Sequence, residues 1–223
     1  MPTRATHAIP TCLLVPDIGG MKPRHWLSLW QSRHDNCHPI DAGDWADPVR
    51  SSWLSRIDYS VGLVRPPAIL VAHGLGALAV AWWAALLGKR AADRVAGALL
   101  VAPPDPEQPG VDERIGRFGP LPTAMLPFPS ILVASENDPY VSLDRAREMA
   151  GEWICDFVNA GPVGHFGPDA GLGLWPEGER LLDILVSGGP GLSRYTYRPE
   201  PPTRGSSGHR QRITPRASLR AGL

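Results

Sequence analysis

Two residues of this chain have the types and order that acyl transfer uses, and a third position falls short. Asp138 lies in Glu136-Asn137-Asp138-Pro139-Tyr140, directly after an apolar run that reads as a strand. His165 lies in Gly164-His165-Phe166-Gly167, in the loop after a later one. A carboxylate behind a histidine fixes the ring and supports its protonated form, and the histidine can then take a proton from a hydroxyl. That hydroxyl belongs upstream, on a sharp turn between a strand and a helix. The turn exists: Ala68-Ile69-Leu70-Val71-Ala72 is followed by His73-Gly74-Leu75-Gly76 and then by good helix formers. Its central residue is Gly74, and no Ser, Thr or Cys lies within ten residues on either side.

These positions need a scaffold, and the apolar pattern predicts one. Strands are expected at Thr11 to Val15, near Cys37 to Ile40, and at Ala68 to Ala72, Gly97 to Ala102, Ser130 to Ser135 and Cys155 to Asn159. Between them lie helical patterns: one from His25 with Trp26, Leu29 and Trp30 on one face, and one opened by Asp47-Pro48 with Trp53, Leu54 and Ile57 as its stripe. Others span Leu75 to Leu87, Leu143 to about Trp153, and Pro176 to about Val186. Residues 103–127, rich in Pro and Gly, read as an excursion over the strand ends. Near-continuous apolar strands alternating with helices imply an α/β fold of three layers, a mostly parallel sheet of about six strands covered on both faces.

Length and charge bound the rest. At 223 residues the chain suits one α/β domain, expected over 1–186. From Ser187 onward there are seven Arg and one acid, with Gly, Pro and Ser and few apolar residues. This 187–223 tail is expected to be disordered. The preceding residues carry 15 basic and 21 acidic groups, which is not the footprint of a nucleic-acid binder. Three cysteines without paired spacing, and no apolar run of membrane-spanning length, lead to the expectation of a cytoplasmic protein without a membrane partner.

The Gly-bearing turn has a second reading. Gly74-Leu75-Gly76-Ala77-Leu78-Ala79 satisfies a dinucleotide fingerprint, with Asp105 after the next strand as a ribose partner. The spacing to Asp105 is long, however, and the fingerprint normally follows the first strand of its fold. Read singly, Asp138 is a turn residue before Pro139 and His165 a loop histidine. Their order behind the turn favours the nucleophile-elbow reading.

With these motifs in place, the chain resembles the small serine hydrolases of the retinoblastoma-binding-protein type, an α/β-hydrolase family. The resemblance is carried by "MKPRHWLSLW", "LVAHGLGALAVAWWA", "GALLVAPPD", "LPFPSILVASENDPY" and "GHFGPDAGLGLWPEG" and runs from about Leu13 to Leu185. It implies a Ser-Asp-His triad acting on esters or amides, with Asp138 as the acid, His165 as the base and Gly74 in the place of the nucleophilic Ser. It also implies an oxyanion hole from the backbone N–H of Leu75 and one from the Asp17-Ile18 loop. Asp17 stands where the family has a Gly, Met21 where a Ser is common, and Gly167 where an Asn often follows the histidine. An acid at position 17 places negative charge close to a developing oxyanion.

Without a hydroxyl at position 74 the covalent route is closed. The expectation is a catalytically impaired or inactive homologue. The alternatives are a residual hydrolase using water activated by His165 and Asp138, a non-catalytic binder of small ester- or amide-like ligands, and a dinucleotide-binding protein. Trp82, Trp83, Trp175 and His25 are candidate pocket residues, with burial against the sheet as the competing reading for the tryptophans. His34, Cys37 and His38 form no convincing ligand set, so neither a metal nor a cofactor is expected.

Overall fold

Four apolar runs with no polar break cannot face water on either side, and they occupy the middle of the sheet. The computed structural model describes residues 10–187. Its strands are β1 (Cys12–Val15), β2 (Cys37–Pro39), β3 (Ala68–His73), β4 (Val95–Val101), β5 (Ser130–Ala134) and β6 (Asp156–Asn159). All pair in parallel, in the order β2-β1-β3-β4-β5-β6. β1, β3 and β5 are buried throughout, whereas the edge strands β2 and β6 carry exposed residues.

The helices are α1 (Trp26–Arg33), α2 (Arg50–Leu63), α3 (Leu75–Leu87), α4 (Lys89–Ala92), α5 (Glu113–Gly116), α6 (Leu143–Trp153) and α7 (Pro176–Ser187), with a 3₁₀ turn at Pro168–Ala170. Alternate strand residues feed two cores. Leu13, Leu70, Leu100 and Leu132 face Trp53, Leu78 and Met149 of α2, α3 and α6. Leu14, Val71, Leu99 and Val133 face Trp26, Trp30 and Leu181 of α1 and α7. The sheet is thus covered on both faces, as the strand pattern predicts.

Most expected boundaries fall within two residues of the observed ones, with one instructive exception. α2 begins at Arg50 behind Val49, which makes no side-chain cap, and not at the Asp47-Pro48 signal. Asp44 captures the Ala46 and Asp47 N–H groups in a turn, and the Asp47 carboxylate pairs with Arg117 at 2.5 Å. The capping residue is spent on a tertiary ion pair, so helix entry slips past the proline. α4 and α5 were not foreseen; each is a single turn within a connection. Beyond Ser187, which closes α7, the expectation of a disordered tail lies outside the described residues.

The strand order reverses between β1 and β3, and open α/β sheets gather ligands where such a reversal opens a crevice at the carboxyl ends. α3 starts unusually close to β1 there. A Cβ on Gly76 would lie 2.5 Å from the carbonyl oxygens of both Val15 and Pro16, so glycine is what lets the start of α3 touch the end of β1. Asp17 is thereby brought beside the first N–H of α3.

Candidate active site

The β5 and β6 loops are tied together by backbone and short polar side chains before any titratable group is considered. Ser135 Oγ accepts from Val163 N–H at 3.0 Å, and Asn137 Oδ1 accepts from Gly164 N–H at 2.6 Å. These bonds set His165 opposite Asp138. The ring Nδ1 lies 2.8 and 3.0 Å from the two Asp138 oxygens, and the Asp138 carboxylate, its side chain shielded from solvent, also accepts the Tyr140 N–H. Tyr140 meets the His165 ring edge-on at 4.6 Å between centroids. Phe166 follows with φ +54°, a left-handed conformation costing on the order of 1 kcal/mol or more for a non-glycine residue. Trp26 Nε1 donates to its carbonyl at 3.2 Å and holds it.

The other half of the site comes from β1 and β3. Gly74 takes φ +55° and ψ −128° at the junction of β3 and α3. The Asp17 side chain lies directly over it: a Cβ on Gly74 would overlap the Asp17 carboxyl group. Asp17 Oδ1 accepts the Leu75 N–H at 2.7 Å, and Oδ2 lies 3.3 Å from His165 Nε2. The imidazole is therefore sandwiched between two carboxylates, Asp138 on Nδ1 and Asp17 on Nε2.

This arrangement sets the charge state. Burial alone would push the His165 pKa down, but the hydrogen bonds and charges of Asp138 and Asp17 outweigh it and raise it to about 9. Burial likewise would push Asp17 up, yet the bond to His165, the adjacent imidazole charge and the Leu75 N–H bring it down to about 2. At neutral pH the pair is an imidazolium facing a carboxylate.

Two further histidines sit behind it. Leu27 N–H donates to His25 Nδ1 at 3.1 Å, His25 Nε2 meets His73 Nδ1 at 3.1 Å, and His73 Nε2 meets the His165 carbonyl at 2.6 Å. The backbone N–H at one end and the C=O at the other assign the protons: each ring accepts at Nδ1 and donates at Nε2. Both stay neutral, since burial lowers His25 to about 3 and His73 to about 4. Asp17, His73 and His165 present ligand atoms within 4.8 Å of one another, the one such group among the described residues. His73 has both ring nitrogens engaged, so the arrangement is a hydrogen-bond relay rather than an open chelate. His34 instead pairs with Glu179 at 2.8 Å, and Cys37 faces Cys12 across β1 and β2.

A cleft of about 1260 Å³ opens above these groups, lined by Asp17, Ile18, His25, Tyr140 and His165, with Asp112 and Arg114 from the 103–127 excursion on one wall. Among the expected pocket residues His25 lines it; the tryptophans do not. Trp83 is buried with its Nε1 on Asp58, Trp82 donates to Phe118 C=O beneath the Arg50 guanidinium, and Trp175 is buried against Trp26 and Trp30. The α3 indoles are thus turned toward α2 and the 103–127 excursion, with Trp82 half-buried, and Trp175 packs at the foot of α7; each ring gains its contact area away from the cleft. Ser135, Asn137 and His73 carried no sequence signal of their own. The nucleotide reading also loses its ground: Asp105 pairs with Arg145 at 3.4 Å, and the start of α3, where a pyrophosphate would sit, holds the Asp17 carboxylate.

The parallel sheet, the crevice at its switch point and loops converging at the carboxyl ends define an α/β hydrolase. The serine hydrolase family model matches residues 12–184, and the chain belongs to that family. Among solved structures it is similar to a protein described as YdeN-like from Pectobacterium atrosepticum, at 29% identity over 79% of this chain and 90% of the other, with a TM-score of 0.69. The ydeN gene product from B. subtilis aligns at 16% identity over 80% and 99% of the two chains, with a TM-score of 0.64. Est1E from Butyrivibrio proteoclasticus, solved with ferulic acid bound, aligns at 14% identity over 84% and 92%, with a TM-score of 0.61, a likeness of fold alone. No curated protein sequence matches the chain. No helix among the described residues is long and apolar enough to cross a membrane.

Proposed function

We propose that this chain is a serine hydrolase family member of the retinoblastoma-binding-protein type in which Gly74 stands at the nucleophile position. On this reading it performs no acyl-serine chemistry and is silent toward carboxylic esters and amides. The observation that carries the reading is the seat of Asp17. Its carboxyl group fills the space of a residue-74 side chain and takes the Leu75 N–H, the donor an oxyanion would need. It also engages Nε2 of His165, the atom that would have to accept a hydroxyl proton.

The same contacts disfavour water attack on an ester through His165. With the ring protonated up to about pH 9, its Nε2 carries no free lone pair at neutral pH. What remains is a cleft with room for a small neutral or cationic ligand beside the half-buried Asp17 carboxylate. The free cysteines Cys12, Cys37 and Cys155 suit a reducing, cytoplasmic setting.

The test is fluorophosphonate labelling and p-nitrophenyl acetate hydrolysis with the wild type, Gly74→Ser, and the double variant Asp17→Gly with Gly74→Ser. Only the double variant is expected to label and turn over, because serine needs both its hydroxyl and the space Asp17 holds. Labelling or His165-dependent ester hydrolysis by the wild type would overturn the reading.

A further inference from the structure

Two cysteines with no paired spacing along the chain are placed side by side by the fold. Cys12 opens β1 and Cys37 opens β2, and they are direct register partners in the parallel pairing. Both side chains enter the same core, between the sheet and α1 and α7. We propose that Cys12 and Cys37 form a redox modification site, which hydrogen peroxide converts to a disulfide that locks α1 and its half of the cleft onto the sheet. The proposal stands whether or not Gly74 silences ester chemistry.

The spacing permits the bond and keeps it labile. In-register residues on neighbouring strands sit about 4.8 Å apart, inside the Cα range of disulfides, roughly 4.4–6.8 Å. Their Cβ atoms are about 1 Å farther apart than most disulfides hold them. β2 can close that gap, since it is three residues long and, among the described residues, pairs with β1 alone. A bond formed under such tension is readily reduced, which is the property of regulatory disulfides. The pair therefore rests as free thiols and closes only when an oxidant is supplied.

The two thiols differ in role. They share a hydrogen bond in which the Cys12 S–H supports the Cys37 sulfur as thiolate; this lowers Cys37, against burial and the Glu179 charge, and raises Cys12. Cys37 is thus the first to react. Both side chains are buried, so the oxidant has to be small and to enter as the short edge strand opens. The Cys37 sulfur attacks one oxygen of hydrogen peroxide, the O–O bond breaks, and the departing hydroxide takes the former thiol proton as water. Cys37 is then a sulfenic acid. The Cys12 sulfur attacks the Cys37 sulfur, the S–S bond forms, the S–O bond breaks, and the hydroxyl leaves as water with the Cys12 proton. The thiols together lose two electrons to the peroxide, and the net change is two thiols plus hydrogen peroxide to a disulfide plus two waters.

The ring closed by this bond, residues 12–37, holds Asp17 and His25 of the cleft and the whole of α1. α1 in turn holds the His165 loop: Trp26 Nε1 donates to Phe166 C=O at 3.2 Å and Trp30 Nε1 to Leu174 C=O at 2.6 Å. The C-cap of α1 is His34, whose carbonyl accepts the Cys37 N–H at 3.0 Å and whose ring pairs with Glu179 of α7. Tying Cys37 to Cys12 therefore ties the end of α1 to the sheet beside the elements that carry the site. Cys155 is the internal control. It stands just before β6 at the far edge of the sheet and packs on the opposite core, and burial with the Asp156 charge pushes its thiol up to about 12.

The test treats the reduced full chain with hydrogen peroxide in modest excess, alkylates the remaining thiols in denaturant with N-ethylmaleimide, and maps the cysteine peptides without reduction. The expected product links the Cys12 and Cys37 peptides of one chain and leaves Cys155 alkylated, and dithiothreitol restores all the thiols. Oxidation should raise Tm by about 5 °C or more. It should also slow hydrogen exchange at the Ile40 N–H, which bonds Leu14 C=O between β2 and β1. Cys12→Ala, with its fold checked by circular dichroism, should stop at a Cys37 sulfenic acid labelled by dimedone and show no rise in Tm. Recovery of Cys12 and Cys37 as alkylated thiols, links only between separate chains, or a linked pair with unchanged Tm would each overturn the proposal.

Discussion

The two halves of the site have fared differently. On the β5–β6 side, Asp138 and His165 keep the positions expected of a triad acid and base, braced by Ser135 and Asn137 through backbone N–H groups that do not depend on what lies across the cleft. On the β1–β3 side, Gly74 and Asp17 are intelligible only together. Glycine leaves a void at the turn, and the aspartate from the neighbouring strand's loop fills it and takes the Leu75 N–H. A site assembled from separate strand ends can therefore change one half while the other stays set, provided that new charge finds a counter-charge. Here His165 supplies it.

The largest effect expected on that comparison comes from Asp138→Ala. It strips a solvent-shielded, hydrogen-bonded partner from a charged ring and should cost about 3–5 kcal/mol, read as a lowered urea midpoint. Gly74→Ser alone should cost about 3 kcal/mol, from left-handed strain and overlap with the Asp17 carboxyl. Adding Asp17→Gly should return most of this, and additive losses in the double variant would show that the two residues are independent.

Next comes pH. His165 is raised from 6.5 to about 9 by folding, so its contribution is fully present below pH 6.5 and is lost as pH rises through 9. The amount is on the order of 3 kcal/mol, and Tm should decline across that range. Asp17, lowered to about 2, adds stability above pH 4 that fades only below it. Asp17→Asn should make the alkaline decline shallower; an unchanged slope would mean that Asp138 alone holds the proton. The smallest effect is expected from Ser135→Ala, about 1 kcal/mol, with faster hydrogen exchange at Val163 N–H and no change at Leu75 N–H.

Much of this was legible along the chain, and the illegible part has a common cause. Strand runs such as Ala68 to Ala72 and the order Gly74, Asp138, His165 are local or sequential properties. Asp17 was visible as an unsuitable charge, but its bond to Leu75 N–H depends on how closely α3 approaches β1, which Gly76 controls through contact with carbonyls sixty residues earlier in the chain. His73 read only as the residue before a turn, because its partners lie on α1 and on the β6 loop. Trp82, Trp83 and Trp175 misled because an indole's size signals contact area without saying which side of a helix supplies it.

The overlap between a residue-74 side chain and the Asp17 carboxyl also limits what a single substitution can achieve. A side chain at position 74 and the present seat of the Asp17 carboxyl exclude each other, so only one of them can occupy the turn. With the carboxylate seated on Leu75 N–H and His165, a serine introduced alone meets steric collision and a disrupted ion pair. Positions 17 and 74 thus act as a latch, in which a change at one is accommodated only by a change at the other.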